Sequence, residues 1–137
     1  MLAQCNIVLG KPIEPVFWFL ADPRNRPRWQ SSLRAVEMLS DGEPRVGMRW
    51  RERPGGLVRF DMRIIALDPL RHWAEAFTGA GVTGEIALSF AADGGATKIS
   101  VQVALDLPRP LELAVPVFRP LLITTVRRDL TQLERLL

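Results

Sequence analysis

The residue most able to do chemistry is Glu75, which lies in a strongly apolar stretch. Residues 73–77 alternate, and a strand of the opposite parity would expose the two aromatic side chains Trp73 and Phe77. Glu75 is therefore predicted to face inward with them. An ionised carboxylate there is costly, so Glu75 needs a partner or a raised pKa. We predict that Glu75 is either a catalytic acid or base or an anchor for a ligand.

Two alternatives stay open for the acidic residues. In the first, Glu75 lies near a strand end, reaches water or an arginine, and has no chemical role. The second concerns Glu52, which shares the parity of Trp50 but lies closer to a predicted hairpin loop. We expect Glu52 to be solvated.

Other reactive residues are scarce. Cys5 and His72 are the single cysteine and the single histidine, and there is no tyrosine. A lone cysteine excludes an internal disulfide and a cysteine metal cluster, and a lone histidine lacks the usual partners of a zinc site or a catalytic triad. We therefore expect no metal and no cofactor.

Large apolar side chains with inward parity predict a pocket wall around Glu75. Small-molecule sites are mostly apolar, with a few polar groups that orient the ligand. The alternative is that the same residues simply fill a core. The predicted wall consists of Trp29, Trp50, Phe60, Met62, Trp73, Phe77, Ile86 and Leu88, roofed by Phe118, Leu122 and Val126.

Five arginines crowd the opposite face of one predicted hairpin, with Asp61 among them. A phosphate backbone or an acidic partner would fit such a face, but the aromatic residues that stack on bases are missing from it. The net charge is only +3, from 18 basic and 15 acidic residues. We interpret this as a solvated strand face and expect no nucleic-acid binding. The five are Arg49, Arg51, Arg53, Arg59 and Arg63.

A long helix is predicted at the C-terminus, because apolar residues recur there at steps of three and four. Polar residues occupy the other face only after Val126. From Leu111 to Val126 the only charges are Glu112 and Arg119, so we expect this half to enter a cavity or pass under a sheet. Pro116 and Pro120 should each start or kink a helical segment. The apolar positions are Val115, Phe118, Leu122, Val126, Leu130, Leu133 and Leu137.

The preceding chain reads as a strand, two short helices and about six antiparallel strands. A three-residue loop at 54–56 predicts that Trp50 faces Phe60, Met48 faces Met62 and Arg49 meets Asp61. A turn on Gly94 and Gly95 predicts a second hairpin with three apolar pairs: Phe90 with Ile99, Leu88 with Val101, and Ile86 with Val103.

These elements predict one α+β domain spanning residues 1–137, in which a curved antiparallel sheet of about seven strands wraps around the long helix. The whole chain resembles the helix-grip fold of the START and polyketide-cyclase superfamily, which includes the birch-pollen-allergen-like proteins. The resemblance is carried by three segments: 12–22 followed by Trp29, the strand opened by Gly47 at 46–50, and the glycine-threonine hairpin at 94–99.

The resemblance implies binding of hydrophobic ligands, lipid carriage, or aromatase/cyclase activity on polyketide chains. Cyclases of this fold use cavity residues that include arginine and tyrosine, whereas parity turns the strand arginines outward here. We therefore expect binding, with possible transport, of a small hydrophobic molecule between the sheet and the helix. The alternatives are an aromatase/cyclase-type enzyme with Glu75 as base, and a protein-interaction module of the chaperone-activator kind that uses the arginine face.

The expected cellular location depends on two features that the sequence does not show, a signal peptide and a membrane span. The N-terminus has no basic region followed by an apolar core, so we expect no signal peptide. No uncharged run approaches the roughly 18 residues of a membrane span. A cytoplasmic protein is the expectation.

Overall fold

The computed structural model describes residues 1–137, and it has one seven-stranded antiparallel sheet in the order β1-β7-β6-β5-β4-β3-β2. The strands are β1 Leu2–Leu9, β2 Ala35–Met38, β3 Arg49–Gly55, β4 Val58–Asp68, β5 His72–Gly79, β6 Val82–Asp93 and β7 Ala96–Asp106. The helices are α1 Ile13–Ala21, α2 Arg26–Trp29, α3 Arg109–Glu112 and α4 Val115–Leu136, with a 3-10 turn at Pro23–Asn25. The predicted helix-grip architecture is confirmed.

The two short helices after β1 close one end of the sheet. Pro12, in an extended conformation, precedes α1, which buries Val16, Phe17 and Leu20 against the core. The side chain of Asp22 then accepts a hydrogen bond from the backbone N–H of Arg24, which starts the 3-10 turn that leads into α2. This cap directs α2 back toward the sheet.

The β6–β7 hairpin has the predicted register. Phe90 is opposite Ile99, and the pairs further along the strands follow in step. Gly94 has a φ of +60°, which a residue with a side chain adopts only with strain, and it forms the turn with Gly95 between Asp93 and Ala96.

The predicted β3–β4 register is wrong by two residues. Trp50 is opposite Met62, and Arg51 rather than Arg49 is opposite Asp61. The turn is formed by Gly56 and Leu57, so the loop has two residues and not three. A two-residue turn alone would have placed the predicted inward side chains of β3 on the same face as the outward side chains of β4. A bulge between Glu52 and Gly55 adds the residue that restores them, so the predicted inward side chains still face inward.

Helix α4 begins at Val115, with Pro116 in its first turn and Pro120 inside it. Its second half packs as predicted, with Leu130 and Leu133 buried. The prediction that the first half is buried is wrong: Phe118 is 42% exposed. The reason is what covers the helix. Helix α4 runs alongside the edge strand β1, from Arg119, whose Nε bonds the carbonyl of Leu2 at 2.9 Å, to Glu134, whose Oε1 accepts from the N–H of Gly10 at 3.1 Å. Helix α2 also packs against the second half, but not against the first.

The two halves of α4 should therefore respond differently to loss of a leucine side chain. Leu130→Ala removes fully buried contacts and should lower the free energy of unfolding by about 2–5 kcal/mol. Leu121→Ala is the matched control, since this side chain is 61% exposed, and the change should stay within about 0.5 kcal/mol. Urea denaturation measures both. Equal effects would contradict the packing described for α4.

Candidate functional site

A cavity of about 70 Å³ lies between the sheet, α2 and α4. Its wall is mostly apolar but includes charged and amide side chains. The lining residues are Leu20, Arg26, Trp29, Gln30, Trp73, Glu75, Ile86, Leu88, Val101, Val126, Asp129 and Leu130. These include Glu75 and five residues of the predicted wall: Trp29, Trp73, Ile86, Leu88 and Val126.

The other predicted wall residues lie elsewhere. Trp50 and Met62 are buried in the core of the sheet, as their parity requires. Phe60 and Phe77 are half-buried and stack edge to face, with their ring centroids 6.1 Å apart. The remaining two are the exposed Phe118 and the half-buried Leu122, which lies against β1.

The central group of the site is Arg26, which the sequence analysis missed. Only 2% of Arg26 is exposed. Its Nη1 donates to Glu52 Oε2 at 2.8 Å and to Glu75 Oε1 at 3.3 Å, and its Nη2 donates to Glu75 Oε2. The guanidinium carbon lies 5.1 Å from the ring centroid of Trp50 and 5.3 Å from that of Trp73. A buried cation is thus held between two carboxylates and two indole rings.

The expectation that Glu52 is solvated is wrong for the same reason. Glu52 is 8% exposed, and its Oε2 accepts from Arg26 and from Trp50 Nε1, each at 2.8 Å. The sequence did contain a signal for Arg26. Two inward carboxylates require a buried cation, and parity had turned the strand arginines outward, so the cation had to come from the basic segment at 24–32.

The charges of this cluster do not balance, and the pKa of Glu75 reflects this. Burial and the neighbouring charge of Glu52 favour the neutral carboxyl, while the charge and hydrogen bonds of Arg26 favour the carboxylate. The balance raises the pKa of Glu75 to about 7. Burial alone would lower the pKa of Arg26, but Glu75 and Glu52 raise it, so Arg26 stays charged. The cluster can therefore take up or release one proton near neutral pH.

Three buried N–H donors at the site have no hydrogen-bond partner on the protein. They are Arg26 Nε, Trp29 Nε1 and Trp73 Nε1, and all three belong to residues that line the cavity. Unpaired buried donors are rare, and each costs about 1–3 kcal/mol. The site is therefore rich in donors and in apolar surface, an arrangement suited to a molecule that carries acceptor oxygens.

The outer arginine face is partly neutralised. Arg51 Nε bonds Asp61 Oδ1 at 2.9 Å, and Arg53 Nη2 lies 3.3 Å from Glu37 Oε2. No set of three His, Cys, Asp or Glu side chains is arranged to hold a metal ion. None of the helices has the length and hydropathy needed to cross a bilayer.

Removal of the buried cation should destabilise the protein strongly. Arg26→Met leaves Glu52 and Glu75 without their partner, and we expect a loss of about 3–5 kcal/mol in the free energy of unfolding. Adding Glu52→Gln and Glu75→Gln to this variant should restore much of it, because the uncompensated charges are then gone. Arg28→Met, an exposed position on the same helix, is the control. Denaturation by urea gives all of these values, and a fully stable Arg26→Met protein would contradict the buried cluster.

The raised pKa of Glu75 should make stability depend on pH. Between pH 4.5, its ordinary value, and about 7, the unfolded chain has lost the Glu75 proton while the folded chain keeps it. Stability from this residue therefore falls as the pH rises through this window, by at most about 1.4 kcal/mol per pH unit, and levels off above it. Subtracting the curve of Glu75→Gln from that of wild type isolates the effect. The exposed Glu85→Gln should leave the slope unchanged, and a difference curve that rises with pH would contradict the assignment.

Comparisons with known proteins agree with this architecture. No curated protein sequence matches the chain. Among solved structures, a Thermus thermophilus protein has a TM-score of 0.81 and 17% identity, with 98% of this chain and 95% of that chain covered. A START superfamily protein from Mycobacterium smegmatis has a TM-score of 0.77 and 15% identity, covering 97% and 94%. The Streptomyces aromatase/cyclase Zhui has a TM-score of 0.77 and 16% identity, covering 98% and 91%.

These identities are low, so the solved structures show a shared fold and no more. The family is shown by the sequence itself. Residues 7–137 match the sequence model of the family described as "Polyketide cyclase / dehydrase and lipid transport". The match covers nearly the whole chain, and the chain therefore belongs to the polyketide cyclase/dehydrase and lipid transport family.

Proposed function

We propose that the protein binds a small, mostly apolar molecule that carries acceptor oxygens, in the cavity between the sheet and α4. The observation that carries this proposal is an apolar cavity whose lining residues Arg26, Trp29 and Trp73 each have a buried N–H without a partner on the protein. A ketone, ether or hydroxyl oxygen would pair with them and remove the cost of leaving them unbonded. The family's description, which names lipid transport and polyketide chemistry, agrees with a ligand of this class.

The charge of the cluster favours a ligand whose buried part is neutral. Two carboxylates surround one guanidinium, so above the pKa of Glu75 the interior carries excess negative charge. A ligand carboxylate beside Glu52 and Glu75 would be repelled by their negative charge, and it would also lose its hydration. Neutral oxygens meet no such penalty.

Such a ligand needs more room than the present 70 Å³. Typical small-molecule sites measure about 300–1,000 Å³. Val126 is the first residue of α4 in the cavity wall, and the part of the helix most able to move is the segment that leads to it from Pro120. Pro120 supplies no backbone N–H to the helix, and residues 117, 118 and 121 are exposed and so hold it weakly. We infer that this segment moves outward when the ligand enters.

A second candidate function is acid–base catalysis on a bound carbonyl compound. It is favoured by the pKa of Glu75, near 7, where a carboxylate can remove a proton next to a carbonyl and a carboxyl can return it. Arg26, which bonds Glu75 directly, would hold the base in place. Exchange of the ligand's α-hydrogens for deuterium, followed by mass spectrometry, tests this. Exchange should be lost in Glu75→Gln while ligand binding persists.

Filling the cavity should abolish binding without unfolding the protein. Ile86→Trp places a larger side chain in the wall, whereas Ser89→Trp puts the same side chain on the exposed face of the same strand. We expect saturable binding of Nile red and of an acetylnaphthalene with a hydroxyl-terminated alkyl tail to wild type and Ser89→Trp. Ile86→Trp should bind at least about tenfold more weakly, a difference of about 1.4 kcal/mol.

Fluorescence titration measures these affinities, and native mass spectrometry of the purified protein shows any molecule that is retained. Circular dichroism confirms that both tryptophan variants are folded. Binding by neither wild type nor Ser89→Trp, or equal binding by all three proteins, would remove the proposal that the cavity holds the ligand.

A further inference from the structure

A second concavity lies directly outside the cavity, between α2 and the second half of α4. It is an open groove of about 520 Å³. Three residues, Trp29, Gln30 and Asp129, line both the groove and the cavity. These three form the boundary between an apolar interior and a polar outer groove, and a molecule that crosses this boundary would contact both.

The groove is strongly basic. Arg28, Arg128 and Arg135 line it and form no salt bridge with any carboxylate. Arg128 and Arg135 are seven residues apart on α4, two turns of helix, so they lie on the same face.

The one acid of the groove, Asp129, is already engaged. Asp129 Oδ1 accepts from the backbone N–H of Ser31 at 3.1 Å and from its hydroxyl at 2.8 Å. The same hydroxyl oxygen accepts from Arg128 Nη2 at 2.8 Å. These bonds join α4 to the end of α2 and fix the position of one arginine in the groove.

The two sides of this boundary therefore have opposite electrostatic character. Inside, Glu52 and Glu75 outnumber Arg26, and the free donors suit neutral acceptors. Outside, three guanidinium groups face one carboxylate. A ligand that spans the boundary is oriented by this contrast, because its anionic end is repelled inside and attracted outside.

We propose that the ligand has two parts: a neutral, apolar body with acceptor oxygens that fills the cavity, and an anionic group, phosphate or carboxylate, that is bound in the groove. Arg128 and Arg135 hold the anionic group, while the guanidinium of Arg28 lies 5.2 Å from the ring centroid of Phe19. Guanidinium groups suit this role because their planar donors match the oxygens of phosphate and carboxylate. This inference rests on the proposed function and adds to it the class and orientation of the ligand.

The test uses a matched series of ligands with one acetylnaphthalene body and one alkyl tail, ending in a hydroxyl, a carboxylate or a phosphate. Binding is measured by naphthalene fluorescence and calorimetry at low and high salt. Wild type should bind each anionic compound about tenfold or more tightly than the alcohol, and high salt should remove this gain. Comparison of the two anionic arms shows which group the groove prefers.

The groove variant is Arg128→Gln with Arg135→Gln, and it should bind all three compounds with the affinity of the alcohol. The matched control is Arg59→Gln with Arg63→Gln, which removes the same charge from the exposed outer face of β4 and should keep the gain. A gain that survives in the groove variant, or that both double variants lose equally, would mean attraction by net charge alone and would overturn the inference.

The outcomes separate the two proposals. Tight binding of the alcohol with no added affinity from either anionic group overturns the orientation proposed here and leaves the cavity as the binding site. Failure of every compound to bind, the alcohol included, removes the proposed function itself, and this inference with it.

Discussion

The structure of the site depends on the burial of one cation, Arg26, between two carboxylates. Arg26 comes from α2, Glu52 from β3 and Glu75 from β5, so the cluster joins a short helix to two strands that are not neighbours in the sheet. Three charged groups are costly to remove from water, and only their mutual bonds offset that cost. Because Arg26 must keep its hydrogen bonds with Glu52 and Glu75, these bonds fix the position of α2 against the sheet. That position places Trp29 in the cavity wall and the end of α2 beside α4.

Alternation along the strands was enough to predict the faces of the sheet. Glu75 and Trp73 were assigned inward from parity alone, and the structure buries both. The register between strands was harder to predict. A longer turn, and a shorter turn followed by a bulge, place side chains on the same faces but pair different residues across the strands. Trp50 therefore faces inward under either register, while its predicted neighbour Phe60 was wrong. No repeating pattern of apolar and polar residues could show that Arg26 faces inward, since α2 spans only one turn. Only the demand of two buried carboxylates for a cation could have pointed to it.

Helix α4 shows a different limit of sequence patterns. An apolar stripe predicts burial only where other elements are present to cover it, and α4 runs alongside β1 from Arg119 to Glu134. Leu130 and Leu133 lie in the half that also packs against α2 and are buried, whereas Phe118, in the same stripe, lies before that half and is exposed. The sequence predicts the stripe but not which elements pack on it. The consequence for function is that the exposed segment around Pro120, which lacks one backbone hydrogen bond, leads directly to Val126 in the cavity wall.

The protonation state of Glu75 sets the net charge of the cluster, and this charge affects which ligand groups can be buried beside it. Below the pKa of Glu75, the cluster of Arg26, Glu52 and a neutral Glu75 carries no net charge, and above it the cluster carries one excess negative charge. The donors on Trp29 and Trp73 are unaffected by this change, so a neutral oxygen can bond them in either state. A buried anion would be tolerated only in the protonated state, and its affinity would fall as the pH rises toward and beyond neutrality. An anion held outside by arginines, which do not titrate in this range, would show no such fall. The pH dependence of binding thus reports which end of a ligand lies inside, independently of any substitution in the groove.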